Sequence, residues 1–218
     1  MSELRRKIDD FLLVGRVALD NAQQSPEIAE AVARYGYDKA RLEAGERLLA
    51  QAKQLLARQQ SKYSDQYQAT EALHQTFAAA DKVYTAHRAL ARLAIKRMPQ
   101  KDEALALNER KKTSLSGWLG QATVFYDNAP NDPELVAALA RFNLTPEKLY
   151  EGQRLVQQVA DLHSAQARGK YEAQQATADR NAVLDELDEW LAEFRTVAKL
   201  ALADRPQQLE ALGFRAVA

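Results

Sequence analysis

The sequence predicts an all-α fold: an internally duplicated, pseudo-twofold antiparallel four-helix bundle of long helices with additional shorter helices. Three observations carry this expectation. Sliding the 218-residue chain against itself at an offset of about 107 aligns roughly 30 identities without a gap, the mark of an internal repeat. From Asp38 to Met98, and from Glu147 to Asp204, there is no proline, and apolar residues recur at helical spacing. No segment reads as a strand.

The elements follow in order. A first helix is expected over about residues 3–19, amphipathic through Leu4, Ile8, Phe11, Leu12 and Leu19, with a basic start at Arg5, Arg6 and Lys7. Asp9, Asp10 and Arg16 break its apolar run and no clean small-residue cleavage site follows, so it does not read as an export signal. Its counterpart over about residues 110–127 carries Leu115, Trp118, Leu119 and Phe125, with Gly117 and Gly120 between them. Next, Ser25 and Asp132 each precede a proline at a first helical position, where a missing N–H costs nothing. Gly36 and Asn143 are the residue types that end a helix in the left-handed conformation, so each copy has a short helix of about ten residues here. Asp38 and Thr145 then open the long tracts.

Within the tracts, Leu42, Leu49, Leu56, Phe77, Tyr84 and Ala91 share one heptad column, as do Leu149, Val156, Leu184, Leu191 and Ala198. The column fails between Arg58 and Gln68 and between Ser164 and Arg180, where Gln, Ser, Lys, Arg and Ala dominate and Gly169 intervenes. Two arrangements fit: a hairpin of two helices with a turn in each polar stretch, two such hairpins forming the bundle, or one helix of about 60 residues per tract in an extended coiled coil. The hairpin is the expectation, because tracts longer than about 25 residues are unusual in compact domains. The chain is therefore divided into a first helical repeat, 1–107, and a second, 108–218, packed as one domain. The first carries about three excess positive charges and the second about three excess negative ones, so the halves attract weakly.

Composition narrows function. A net charge of zero argues against a nucleic-acid-backbone binder. The absence of cysteine excludes thiol nucleophiles, disulfides and cysteine-held metal clusters. No stretch approaches the roughly 20 apolar residues that span a bilayer, and the chain is expected to be cytoplasmic, without a membrane partner. There is no nucleophile-elbow motif and no phosphate-cradling glycine loop.

A carboxylate-bridged metal pair in a helical bundle needs two Glu-x-x-His motifs. Glu71 and His74 form one, but the equivalent positions in the second copy are Ala178 and Asn181, while His87 points elsewhere around the helix and His163 has no glutamate three residues before it. No catalytic, cofactor or metal residues are therefore assigned. Gly45 and Gly152 stand at equivalent places inside helices, where glycine costs about 1 kcal/mol relative to alanine, so close packing is expected, with the two helices crossing at these residues. Asp81 and Arg88, matched by Asp188 and Arg195, and Arg34, matched by Arg141, suggest shared structural roles such as interhelix ion pairs. The functional expectation is a non-enzymatic protein-interaction or assembly component, with a protein partner or self-association. The alternative is a metal- or small-ligand-binding bundle, with its site near Glu71, His74 and the paired glycines.

Overall fold

The computed structural model describes residues 3–214, with side chains from Lys7 onward. The side chains of Leu4, Arg5 and Arg6, named above in the first helix, lie outside the described residues. All regular structure described is helical: α1 (Glu3–Gln24), α2 (Pro26–Ala33), α3 (Lys39–Ala94), α4 (Leu115–Asn128), α5 (Pro133–Ala140), α6 (Pro146–Ala201) and α7 (Pro206–Ala211), with 3-10 turns at Pro99–Lys101 and Ala129–Asn131. No helix is long and apolar enough to cross a membrane among the described residues.

Local chemistry sets the ends of α2 and α5. Ser25 Oγ accepts from the Ile28 N–H, and Asp132 Oδ1 accepts from Glu134 and Leu135 at 3.0 and 3.2 Å. At the far ends, Gly36 (φ 87°) and Asn143 (φ 58°) take the left-handed conformation. The next N–H, of Tyr37 or Leu144, bonds back to Val32 or Leu139, satisfying carbonyls that the helix leaves free. Tyr37 and Leu144 are then buried. Asp38 opens the next helix by accepting from Arg41 N at 2.9 Å.

The hairpin turns expected at 58–68 and 164–180 do not form. Each tract is a single 56-residue helix, so the pair of hairpins making up the expected four-helix bundle gives way to two uninterrupted helices. The physical reason is that Gln, Lys, Arg and Ala are good helix formers and no proline or cap interrupts them, so losing the apolar stripe does not break the backbone ladder. Polar partners replace the stripe. Gln59 donates to Thr177 and Gln166 donates to Thr70, both at 3.2 Å, while Lys62 pairs with Glu172 at 2.7 Å and Arg180 donates to Gln59 at 2.9 Å. Gly169 is tolerated where the Gln66 backbone of α3 packs against it; a Cβ there would sit 3.6 Å from Gln66 Cα.

The chain forms two compact units, Met1–Tyr63 with Glu172–Ala218 and Ser64–Tyr171. Each draws on both halves of the sequence, and the 107/108 boundary falls inside the second unit. Buried apolar residues gather in two clusters, one in each unit. In unit 1, Leu12, Leu19, Ile28, Tyr37, Leu42, Leu187, Phe194 and Leu212 gather from α1, α2, the start of α3, the end of α6 and the residues around α7. In unit 2, Leu73, Tyr84, Leu105, Trp118, Phe125, Leu139 and Leu149 gather from the end of α3, α4, α5, the start of α6 and the segment between α3 and α4. The heptad columns supply the buried faces in both: Leu42, Tyr84, Ala91, Leu149 and Ala198 are all at most 2% exposed. Within each unit α3 and α6 run antiparallel, as the pairing of Arg41 with Glu193 and Gln59 with Thr177 requires in unit 1, and of Gln66 with Gly169 and Thr70 with Gln166 in unit 2.

Candidate functional site

The residues singled out for chemistry do not converge. Glu71 and His74 are exposed, and Glu71 Oε1 accepts from Gln75 Nε2 at 2.7 Å. His163 is also exposed. Among the described residues no three His, Asp or Glu side chains are grouped to hold a metal ion.

The glycines are packing positions, though not against each other. A Cβ on Gly45 would lie 2.6–2.8 Å from the Trp190 indole, and one on Gly152 would lie 2.3–2.5 Å from the Tyr126 phenol. Each glycine backs onto an aromatic ring in its own unit, which also leaves no bare backbone there for a ligand.

His87, on α3, meets the same Tyr126: its Nδ1 is 3.0 Å from the hydroxyl. Burial lowers the His87 pKa below its ordinary value, and Lys148 nearby adds to the effect. Burial likewise pushes the Tyr126 hydroxyl up. A histidine whose folded-state pKa is depressed binds its proton more readily in the unfolded chain. Its contribution to stability is therefore complete above about pH 6.5 and is lost as the pH falls from there toward the folded-state value. Thermal denaturation between pH 7.5 and 5.5 is expected to show a falling midpoint, and His87→Gln a shallower fall. An identical slope in the variant would remove His87 as the cause.

A polar cluster surrounds the segment between α3 and α4. Asp81 receives Lys111 Nζ on both oxygens, at 2.7 and 2.8 Å, and the Trp118 indole N–H at 2.7 Å. Lys111 also donates to Thr85 at 2.9 Å. One turn pair further along α3, Arg88 is 6% exposed and donates to the carbonyls of Ala106 and Glu109. Arg92 reaches Leu107 O at 2.8 Å. Gln121 on α4 clamps the same segment by accepting from Lys112 N at 2.8 Å and donating to Arg110 O at 3.0 Å. Ala106 takes φ 49°, a conformation strained for a residue with a Cβ, and Leu105 and Leu107 on either side are buried.

Unit 1 has the same positions 107 residues along, with different contacts. Gly213 (φ 77°) stands where Ala106 does, and Leu212 and Phe214 are buried like Leu105 and Leu107. Asp188 and Arg195, equivalent to Asp81 and Arg88, are both exposed. Asp188 has no hydrogen-bond or ion-pair partner among the described residues, and the Arg195 guanidinium lies 5.0 Å over the Phe214 ring. The expectation of one shared ion-pair role for these pairs is thus replaced by two different environments. Between α1 and α6 the positions enclose a notch of about 110 Å³ with apolar walls from Phe11, Val14, Leu191, Ala192 and Phe214 and two charged groups, Asp188 and Arg195. Arg34 and Arg141 are matched, exposed C-cap residues of α2 and α5.

The described residues define an all-α protein with two helical cores, with Asp81 engaged by Lys111 and Asp188 without a partner among the described residues. Comparison with protein-family models, with characterised proteins and with solved structures finds no match.

Proposed function

We propose that this chain is a non-enzymatic protein-interaction or assembly component, built by duplicating a helical unit of about 107 residues. One observation carries the reading. At Asp81 and Arg88 the chain's own connecting segment is held by side-chain bonds, whereas the matched position at Asp188 and Arg195 is exposed and open. A position that grips polypeptide at its first occurrence and, among the described residues, holds none at its second supports docking of another polypeptide. The surface beside it agrees: on α1, Leu13 is 60% and Val14 37% exposed. The matching helix bounds, Pro26–Ala33 with Pro133–Ala140 and Lys39–Ala94 with Pro146–Ala201, support the duplication.

A photo-reactive amino acid placed at Leu13, with illumination in an extract of the source cells and with the purified protein alone, tests this reading. A crosslink at Leu13 to a discrete polypeptide, or to a second copy of the chain, is expected, with none from the same group at the exposed Ala89. A chain that stays monomeric and uncrosslinked in both settings would count decisively against it.

A further inference from the structure

We infer that the Asp188 notch is a receptor for a lysine side chain carried on a non-helical segment of a partner polypeptide, seated as Glu109–Lys111 is seated in unit 2. The inference rests on the interaction reading above and adds the chemistry of the partner.

In unit 2, Asp81, Thr85 and Trp118 form the lysine seat, Arg88 takes the carbonyl two residues before that lysine, and Gln121 clamps the backbone around it. In unit 1 the two charged determinants are retained as Asp188 and Arg195. Phe11 replaces Trp118, keeping an aromatic wall while withdrawing the indole N–H, so both Asp188 oxygens remain available to a guest. Ala192 replaces Thr85 and Val14 replaces Gln121, which removes an acceptor and the backbone clamp. The second site therefore keeps what recognises a cation and a carbonyl two residues apart and loses what would hold the segment permanently. Those changes suit a reversible guest. The notch volume of about 110 Å³ matches one side chain rather than a helix, and an exposed carboxylate with no partner among the described residues selects a cation.

The guest in unit 2 supplies its own probe. A fluorescent peptide with the sequence of residues 106–113 is titrated into the full chain at about 50 mM salt, where charge-assisted contacts are little screened. Saturable binding is expected. It should weaken at least about tenfold with Asp188→Asn in the chain, and equally with Lys111→Ala in the peptide. Asp188 is exposed, so the variant is expected to fold, checked by circular dichroism. Asp185→Asn, a carboxylate on α6 outside the notch, should bind as the parent does.

Binding that is equally weakened by Asp185→Asn would reduce the effect to general charge attraction and overturn the inference. Peptide binding indifferent to Asp188→Asn would do the same. Binding that appears only after removal of residues 215–218 would assign the notch to the chain's own end, again against a partner. A crosslinked partner at Leu13 together with no peptide binding would leave the interaction reading standing and sink only the lysine chemistry.

Discussion

Gly152→Ala is expected to destabilise unit 2, although alanine is the better helix former by about 1 kcal/mol. The added methyl would lie 2.3 Å from Tyr126 Cε1 and Cζ. That ring cannot simply withdraw. It is 1% exposed, it packs edge-on against Phe125 at 5.0 Å between centroids, and its hydroxyl meets His87. Overpacking of a filled core costs about 1–3 kcal/mol, so the propensity gain is offset or exceeded. Hydrogen exchange resolved by segment is the suitable measurement, since two cores need not unfold together. Faster exchange is expected in α4 and α5, and little change in α1 and α2. The decisive control is the pair with Tyr126→Leu: if the clash is the cause, the double variant loses less stability than the two single variants added together. Strict additivity would mean that Gly152 matters for some other reason. Gly45→Ala should act in the same direction on unit 1 through Trp190, more mildly, because that indole is 9% exposed and has an edge free to shift.

Arg88→Met and Arg195→Met form the second test, in which equivalent residues are expected to differ. Arg88 is buried, and its guanidinium is the donor to the carbonyls of Ala106 and Glu109. Methionine keeps the length and apolar stem but leaves those carbonyls without that donor. Losing hydrogen bonds to a charged group of this kind costs about 2–4 kcal/mol. The segment 102–113 should exchange its amides faster and become the first site of proteolytic cleavage. Arg195 is exposed and its one specific contact among the described residues is with the Phe214 ring, so Arg195→Met should cost under about 1 kcal/mol. Equal losses in the two variants would contradict the assignment of a filled site and an open one.

How much of this was legible in the sequence depends on how far each interaction reaches. The ends of α2 and α5 could be read residue by residue, because a cap at Ser25 or Asp132 and a left-handed Gly36 or Asn143 act within four or five positions of themselves. The buried faces of α3 and α6 were legible through the heptad columns for the same reason. The polar stretches look like turns in the sequence but are helix in the structure. A fading apolar stripe reports what a helix packs against, whereas its continuity is decided by backbone bonding and side-chain propensity, and the partners that replace the stripe, Gln59 with Thr177 and Gln166 with Thr70, are about 100 residues apart. The glycines were recognised as packing positions, but nothing local identifies Trp190 and Tyr126 as what they pack on. The candidate notch had only one sequence signal, the recurrence of Asp81 and Arg88 at Asp188 and Arg195. The substitutions of Trp118 by Phe11 and Gln121 by Val14 acquire meaning only once those positions are known to face the same space.

The sequence by itself therefore determined an all-α chain, the ends of its short helices and the faces that its long helices bury, because propensity, capping and periodicity are properties of neighbouring residues. Tertiary structure alone decided that each tract is one helix, that each core takes residues from both halves of the chain, and that one aspartate is occupied by Lys111 while its counterpart has no such partner among the described residues. Those outcomes depend on which distant groups meet, and on whether a carboxylate finds its cation within its own chain.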